Sequence, residues 1–440
     1  MQKIVIIGNG ISGITAARHI RKRSQSTIIV ISKETDYFFS RTALMYIYMG
    51  HMRYQDTKPY EDWFWKKNNI ELRRAEVTHI DFDKKSLHLI PAGPHTTNEE
   101  STRMRYDELV IATGSCPNKF GWPGQDLSNV FGLYSYQDLE RLEAISEEIE
   151  QAVIVGGGLI GIELAEMLHS RDKEVTMLVR EENYWDNVLP PDEAQMVNDQ
   201  IQRIGIKLHL NTELGEIGGN ASGKVTEVRT TSGLVLPCQF VGLTAGVHPN
   251  IKWLDSNTPL ETDRGILVDE YLATNVPHVY AIGDCAQLRN PPPGRQPIEA
   301  VWYVGRIMGE TIAHTLTGHR VKYQPGTWFN SAKFINLEYQ VYGEVPPVIG
   351  PPFESFFWQH ATKDAALRMV YHTETRQIIG LNVLGIRWKM DVCTQWIERG
   401  ATIDHVVQEM RHAHFDPELH KKYYPEIKQQ FAKRQNSRIA

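Results

Sequence analysis

Short, unbroken apolar runs that end in glycine punctuate the first part of the chain. Ile4-Val5-Ile6-Ile7 leads directly into Gly8-Asn9-Gly10-Ile11-Ser12-Gly13, and Ala152-Val153-Ile154-Val155 into Gly156-Gly157-Gly158-Leu159-Ile160-Gly161. Such runs suit strands buried on both faces of a parallel sheet. After each glycine cluster the apolar positions recur at helical spacing, predicting helices over 14–20 and 162–168. Residues 28–31 and 175–179 supply the next strand of each unit. Further strands are predicted at 77–82 and 86–90, as a hairpin or meander, then a polar loop over 91–100, then a strand at 108–112 ending in Thr113-Gly114. Residues 37–65 are rich in aromatics and helical in places. The run 240–246 repeats the strand-then-glycine ending of 108–114, and the two mark where the chain crosses between domains. Alternating strands and helices predict an α/β fold with a doubly wound parallel sheet in each unit.

From Pro325 the pattern changes. Residues 333–338 and 340–343 alternate like strands, and 367–371 with 378–385 reads as a hairpin. Residues 388–399 and 403–412 read as helices. The tail from Lys421 carries six basic residues against one acidic. A frayed, solvated terminus is its simplest reading, and docking to an acidic carrier or a membrane surface its sharper one.

The two glycine clusters carry the chemistry. In a strand–turn–helix context the first glycine permits the tight turn, the second lets backbone approach a pyrophosphate, and the third lets helix pack on strand. Phosphates then rest on the N–H groups and positive end of the helix. Two such turns predict two bound dinucleotides.

Composition narrows the class. A chain of 440 residues, 41% hydrophobic and 23% charged, has room for two or three domains. A net charge of −6 gives no basic footprint for nucleic acid. No apolar run reaches membrane-spanning length. A strand begins within three residues of Met1, leaving no room for a signal peptide. Cys116, Cys238, Cys285 and Cys393 are widely spaced, without a CxxC, which suits a reducing cytoplasm. His405, His412, His414 and His420 match no tetrahedral metal site and read as solvated helix-end histidines, so no metal is expected.

A third signal is Val279-Tyr280-Ala281-Ile282-Gly283-Asp284, a short strand that delivers one carboxylate beside a glycine. Taken with Gly8/Gly10/Gly13, Ala112-Thr113-Gly114 and Gly156/Gly158/Gly161 followed by Glu163, the chain resembles the pyridine-nucleotide-dependent flavoprotein reductases over roughly residues 1–320. Tyr37-Phe38-Phe39-Ser40-Arg41-Thr42-Ala43-Leu44 is similar to the Tyr-x-Arg-x-x-Leu stretch of the nitrite-reductase flavin subunit and the ferredoxin (rubredoxin) reductases. The resemblance implies two Rossmann-like, glutathione-reductase-like domains and a small C-terminal α+β domain. FAD would occupy 1–118 with 243–324, NAD(P)H 119–242, and 325–440 would form an interface domain with a helical extension, in a possible homodimer.

For FAD the resemblance implies Gly8, Gly10, Ile11, Ser12, Gly13, Glu34, Arg41, Val77, Ala112, Thr113, Gly114, Gly283, Asp284 and Trp302. For NAD(P)H it implies Gly156, Gly158, Leu159, Ile160, Gly161, Glu163, Arg180, Glu181 and Gly246. Asp284 would hold the ribitol side of the flavin, and Glu163 would lie near the nicotinamide. Disulfide reductases of the family carry a redox cysteine in this 37–44 region. This chain has no cysteine before Cys116, so no thiol relay is expected there, and Cys116 and Cys285 read as small buried hydrophobes.

Two departures stand out. The carboxylate expected on the adenosine ribose comes late, as Glu34 after Ser32-Lys33. At the end of the matching strand in the second unit, Arg180 suits a 2′-phosphate whereas Glu181 suits a free 2′-hydroxyl; with Glu182 beside them the balance leans to NADH, with NADPH left open. The expected activity is FAD-dependent NAD(P)H oxidation, with electrons passed to a carrier such as a ferredoxin or rubredoxin. The alternatives are an NADH oxidase, peroxidase or quinone reductase, or an apoptosis-inducing-factor-like flavoprotein that works through partners.

Overall fold

The computed structural model describes residues 2–93, 101–255, 257–415, 418 and 421–439. The predicted 91–100 loop from residue 94 onward, together with Asp416, Pro417 and His420, lies outside the described residues. The chain forms two compact units, Met1–Phe120 with Phe131–Glu148 and Ala245–Pro325, and Gly121–Val130 with Ile149–Thr244 and Gly326–Ala440.

In the first unit seven strands share one sheet, in the order Val279–Ala281, Glu108–Ile111, Lys3–Ile7, Thr27–Ser32, Ile70–Asp81, Ser86–Pro91, Thr102–Arg105. The first five run parallel and the last two antiparallel. Lys3–Ile7 is central, and the register sets Ile4 beside Ile28 on one side and Glu108 on the other. Ile70–Asp81 starts well before the predicted 77, because exposed Glu71 and the ion-paired Arg73 and Arg74 interrupt its apolar pattern. Phe131–Glu148 belongs to this unit rather than with 119–242. The Tyr48 hydroxyl meets the Ser146 hydroxyl at 2.7 Å, and the Tyr136 N–H donates to Glu34 at 2.9 Å. Helix Tyr136–Ile145 opens on a capping box in which Ser135 and Asp138 exchange hydrogen bonds.

In the second unit four parallel strands lie in the order Lys207–His209, Glu174–Leu178, Gln151–Val155, Phe240–Leu243. An antiparallel sheet follows from Leu214–Gly219, Val225–Thr230 and Val235–Pro237. Gly326–Ala440 packs in this same unit, around a five-stranded antiparallel sheet ordered Phe329–Phe334, Leu337–Gly343, Ile378–Leu384, Ala366–His372, Phe353–Gln359. The predicted strand 333–338 straddles the tight turn of the first hairpin, where Ile335 takes φ +59°. Phe353–Gln359 went unpredicted because prolines crowd the residues before it, although its aromatic content is a strand signal.

The tail is not frayed. It forms helix Tyr424–Ile439, which buries Ile427 and Phe431 in one core with Trp358, Leu381, Trp388 and Trp396. The segment after Ile386 is therefore part of this domain's interior. Arg368 anchors the sheet to helix Pro191–Arg203 through Glu193 at 2.7 and 2.8 Å and Asp192 at 2.6 Å, and both Arg368 and Glu193 are buried.

Candidate functional site

The two glycine turns have the same local geometry. Gly8 sits at φ +116° with its N–H on Ile31 O at 2.8 Å, and Gly156 at φ +122° with its N–H on Leu178 O at 3.0 Å. A Cβ on Gly8 would lie 2.0 Å from Ala112 O, so the crossing strand allows only glycine there. The third glycines serve close packing, since a Cβ on Gly13 would lie 2.1 Å from Gly8 O and one on Gly161 2.7 Å from Gly156 O. The middle glycines differ. A Cβ on Gly10 or Gly158 would meet nothing within 4 Å. Each is the cap of its helix, Ile11–Arg23 or Leu159–His169, without a side-chain cap and without an acidic residue in the first turn. Open space over an uncapped, positively polarised helix end fits an elongated polyanion such as a dinucleotide pyrophosphate.

Around the first turn the predicted residues converge through groups that no motif marked. Arg41 grips both oxygens of Glu34, at 2.9 and 2.6 Å, and donates to the Tyr134 carbonyl. The Tyr134 hydroxyl lies 2.8 Å from Ser115 Oγ, which donates to Asp284 at 2.8 Å. Burial pushes the Asp284 carboxyl above its ordinary value, against the pull of Ser115 and Arg41. One network thus joins Glu34, Arg41 and Asp284, with Tyr134 and Ser115 as its unpredicted middle. Gly283, at φ +72°, closes on Ser12, as do Gly305 and Gly309 of helix Trp302–Leu316. That helix crosses Ile11–Arg23 at glycine contact distance: a Cβ on Gly309 would lie 2.5 Å from Ser12 O. Thr113 exchanges hydrogen bonds with Asn250, whose N–H also donates to the Gly114 carbonyl. Val77 is buried in the sheet opposite Leu89, and Trp302 is partly exposed at its helix start, edge-on to Tyr303. Neither joins the network by a hydrogen bond.

Around the second turn, Glu163 lies on helix Leu159–His169, where burial first and Glu166 second push its carboxyl up to about 7. Glu166 faces Lys333 at 3.4 Å. Arg180 and Glu181, the residues with opposed implications, pair with each other at 2.6 Å on the surface. Gly246 falls in the first unit, at φ +82° beside Asn118.

All four cysteines are free, and Cys238, Cys285 and Cys393 are buried. Burial raises each thiol above its ordinary value, Cys238 to about 12. His414 is buried rather than solvated, with its ring nitrogens on the backbone carbonyls of Phe415 and Lys421. Among the described residues no group of three or more His, Cys, Asp or Glu could hold a metal ion, and no helix is long and apolar enough to cross a membrane.

Paired strand–glycine turn–helix units on parallel sheets define an α/β protein of the nucleotide-dependent oxidoreductase class. The chain belongs to the pyridine nucleotide-disulphide oxidoreductase family, whose model matches residues 2–310. It is 27% identical over 290 residues to an assimilatory nitrate reductase electron transfer subunit of Bacillus subtilis, a match that takes in 65% of this chain and 36% of that protein. The chain thus spans about a third of that relative's length. It is also 27% identical over 400 residues to an NADH oxidase of Methanocaldococcus jannaschii, covering 87% of each. Among solved structures, a NAD-dependent persulfide reductase from A. fulgidus superposes with a TM-score of 0.84 at 23% identity, over 99% of this chain and 83% of that one.

Proposed function

We propose that the protein is an FAD-dependent NAD(P)H oxidoreductase that hands electrons to a carrier such as a ferredoxin or rubredoxin. The observation that carries this reading is the duplicated turn, with one copy tied to a buried aspartate and the other followed by Glu163. In this reading there are two Rossmann-like domains and a C-terminal α+β domain. FAD takes the Gly8 turn, NAD(P)H the Gly156 turn, and Gly326–Ala440 supplies an interface, in a homodimer of the reducing cytoplasm.

When bound, FAD accepts a hydride from NAD(P)H and releases the electrons to the acceptor. The chain's share is binding and electrostatics. Gly10 and Gly158 admit the pyrophosphates to helix N-termini, and the first-turn N–H groups of Ile11, Ser12, Leu159 and Ile160 take their charge. Ala112, Thr113 and Gly114 wall the first turn, Gly283 seats Ser12, and Asp284 accepts from a sugar-alcohol hydroxyl. Arg41 neutralises Glu34 beside the first turn, and Val77 and Trp302 would contact the flavin nucleotide. Arg180 and Glu181 meet the adenosine ribose, Glu163 holds a proton near neutral pH close to the nicotinamide, and Gly246 continues the crossing strand.

With three thiols buried and none in the 37–44 region, electrons leave without a cysteine relay. A second reading, an NADH oxidase, draws on the relative matched over 87% of its length. The decisive experiment reduces the protein anaerobically with NADH, then measures re-oxidation by a ferredoxin, a quinone, oxygen and a disulfide. Fast re-oxidation by the ferredoxin supports the first reading, and by oxygen the second. A long-lived charge-transfer band with slow re-oxidation by all four would point to action through partner binding.

A further inference from the structure

Behind the second glycine turn lies a tyrosine that no motif accounts for. Tyr184 is fully buried, and its hydroxyl donates to the carbonyl of Gly158 at 2.6 Å. Burial drives the phenol far above its ordinary value, so it stays a neutral donor. Its oxygen would sit 3.2 Å from a Cβ placed on Gly161. Tyr184 therefore touches both ends of the turn from the protein side, opposite the open space over Gly158.

The consequence follows from peptide geometry. In a trans peptide the C=O and the next N–H point in opposite directions. A hydroxyl that pins the Gly158 carbonyl inward also fixes the Leu159 N–H outward. With no Cβ at 158, this peptide plane otherwise has more room to tilt within the first helical turn. The Gly158 carbonyl also receives the N–H groups of Gly161 at 3.0 Å and Ile162 at 3.3 Å from the helix side, and the hydroxyl, at 2.6 Å, is its shortest contact and holds it from the core side.

Tyr184 is itself held from several sides. Its N–H donates to the buried Asn198 Oδ1 at 2.9 Å, and Asn198 donates in turn to Asn183 Oδ1 at 2.9 Å. The next residue, Trp185, adopts φ +60°, a rare conformation for a bulky side chain. Its ring packs on Phe334 at 5.4 Å and Tyr339 at 5.6 Å, both in the first hairpin of the C-terminal sheet. A Cβ on Gly157 would come within 3.7 Å of the Trp185 nitrogen, so this left-handed step lies directly under the turn.

We infer that Tyr184 is a positioning residue for the nicotinamide nucleotide: it orients the Leu159 N–H toward the pyrophosphate and is braced by Trp185 against the Phe334/Tyr339 hairpin. This inference rests on the proposal that the Gly156 turn binds NAD(P)H. Removing the hydroxyl alone, as Tyr184→Phe, keeps the ring in the core. Loss of one hydrogen bond should raise the NADH dissociation constant about five- to tenfold. It should leave FAD content and the flavin reduction rate at saturating NADH within about twofold.

The test titrates NADH into the FAD-loaded wild type and Tyr184→Phe by calorimetry, and follows amide exchange over residues 156–164 without nucleotide. Weaker NADH binding with faster exchange in this segment and an unchanged saturated rate supports the inference. Unchanged affinity in a folded Tyr184→Phe overturns it while the wild type still binds. So does a fall in saturated rate and FAD content together, the signature of general destabilisation. A wild type that takes up FAD yet fails to bind NADH or NADPH overturns the underlying site assignment and this inference with it. Trp185→Gly, which accepts the left-handed backbone but removes the brace, should reproduce the faster exchange.

Discussion

Glu34 and Arg41 form a two-pronged ion pair, at 2.9 and 2.6 Å, beside the first glycine turn. The acidic residue that the motif reserves for a ribose is thus shared with a guanidinium, and its backbone carbonyl is shared with Arg74 and Gln137. Removing the cation leaves a partly buried carboxylate without its counter-charge, which costs more than the net worth of the pair. Arg41→Ala should weaken FAD retention by about tenfold or more, whereas the double change Arg41→Ala/Glu34→Gln should recover part of it. Flavin content after dialysis, read from absorbance, measures both; equal loss in the single and double variants would contradict the coupling.

The Asp284 carboxyl lies at the other end of the same network, on Ser115. Asp284→Ala should lower FAD affinity on the order of ten- to a hundredfold, as expected for a lost hydrogen bond to a charged group. A protein that purifies colourless and cannot be reconstituted with FAD would remove the reading altogether.

Arg180 and Glu181 spend their charges on each other. Freed from Glu181, the guanidinium can face a 2′-phosphate, and one exposed contact of this kind is worth about 1 kcal/mol, or a few-fold in affinity. The wild type should therefore prefer NADH modestly, and Glu181→Lys should shift the ratio of kcat/KM values toward NADPH. A wild type that strongly prefers NADPH would show that Arg180 alone dominates.

Glu163 is pushed up to about 7 by burial and by Glu166. Its native value lies above that of the unfolded chain, so the native state holds the extra proton. The matching stability is complete below about pH 4 and is lost as the pH rises through 7. Glu163→Gln, which stays neutral, should melt above the wild type at pH 8 by roughly 2–4 °C, and the gap should close at pH 5. Melting curves at the two pH values decide it; a gap that does not depend on pH would mean the carboxyl titrates normally.

Buried thiols should resist chemistry. Cys238, Cys285 and Cys393 are buried and Cys116 is half-buried, so native alkylation should mark at most Cys116, and NADH should still reduce the flavin afterwards. Loss of that half-reaction on alkylation of Cys116 alone would expose a thiol step.

The geometry of the glycine turns was legible because glycine has no substitute where backbone meets backbone: Gly8 against Ala112 and Gly13 against Gly8 follow from the motif. Residues whose roles depend on contacts distant in sequence were not legible. Tyr134 and Ser115 join Arg41 to Asp284 across 169 positions of sequence, from Ser115 to Asp284. Gly305 and Gly309 matter because they face Ser12, which helical spacing alone does not reveal. The tail misled through its charge: its basic residues hid Ile427 and Phe431, whose burial makes residues 386–440 inseparable from the sheet. A truncation after Gly385 should therefore expose that core and aggregate.

The buried guanidinium of Arg368 also bears on how this chain can be recombined. It is neutralised by Asp192 and Glu193, which lie some 175 positions earlier, and Asn382 donates to the same Glu193. A graft that exchanged residues 149–244 for a segment without carboxylates at the places of Asp192 and Glu193, and left 326–440 in place, would carry half of this cluster and seal an unmatched charge in its interior. These four side chains are heritable only as a set, so a viable crossover between relatives must move both segments together or fall where neither is divided.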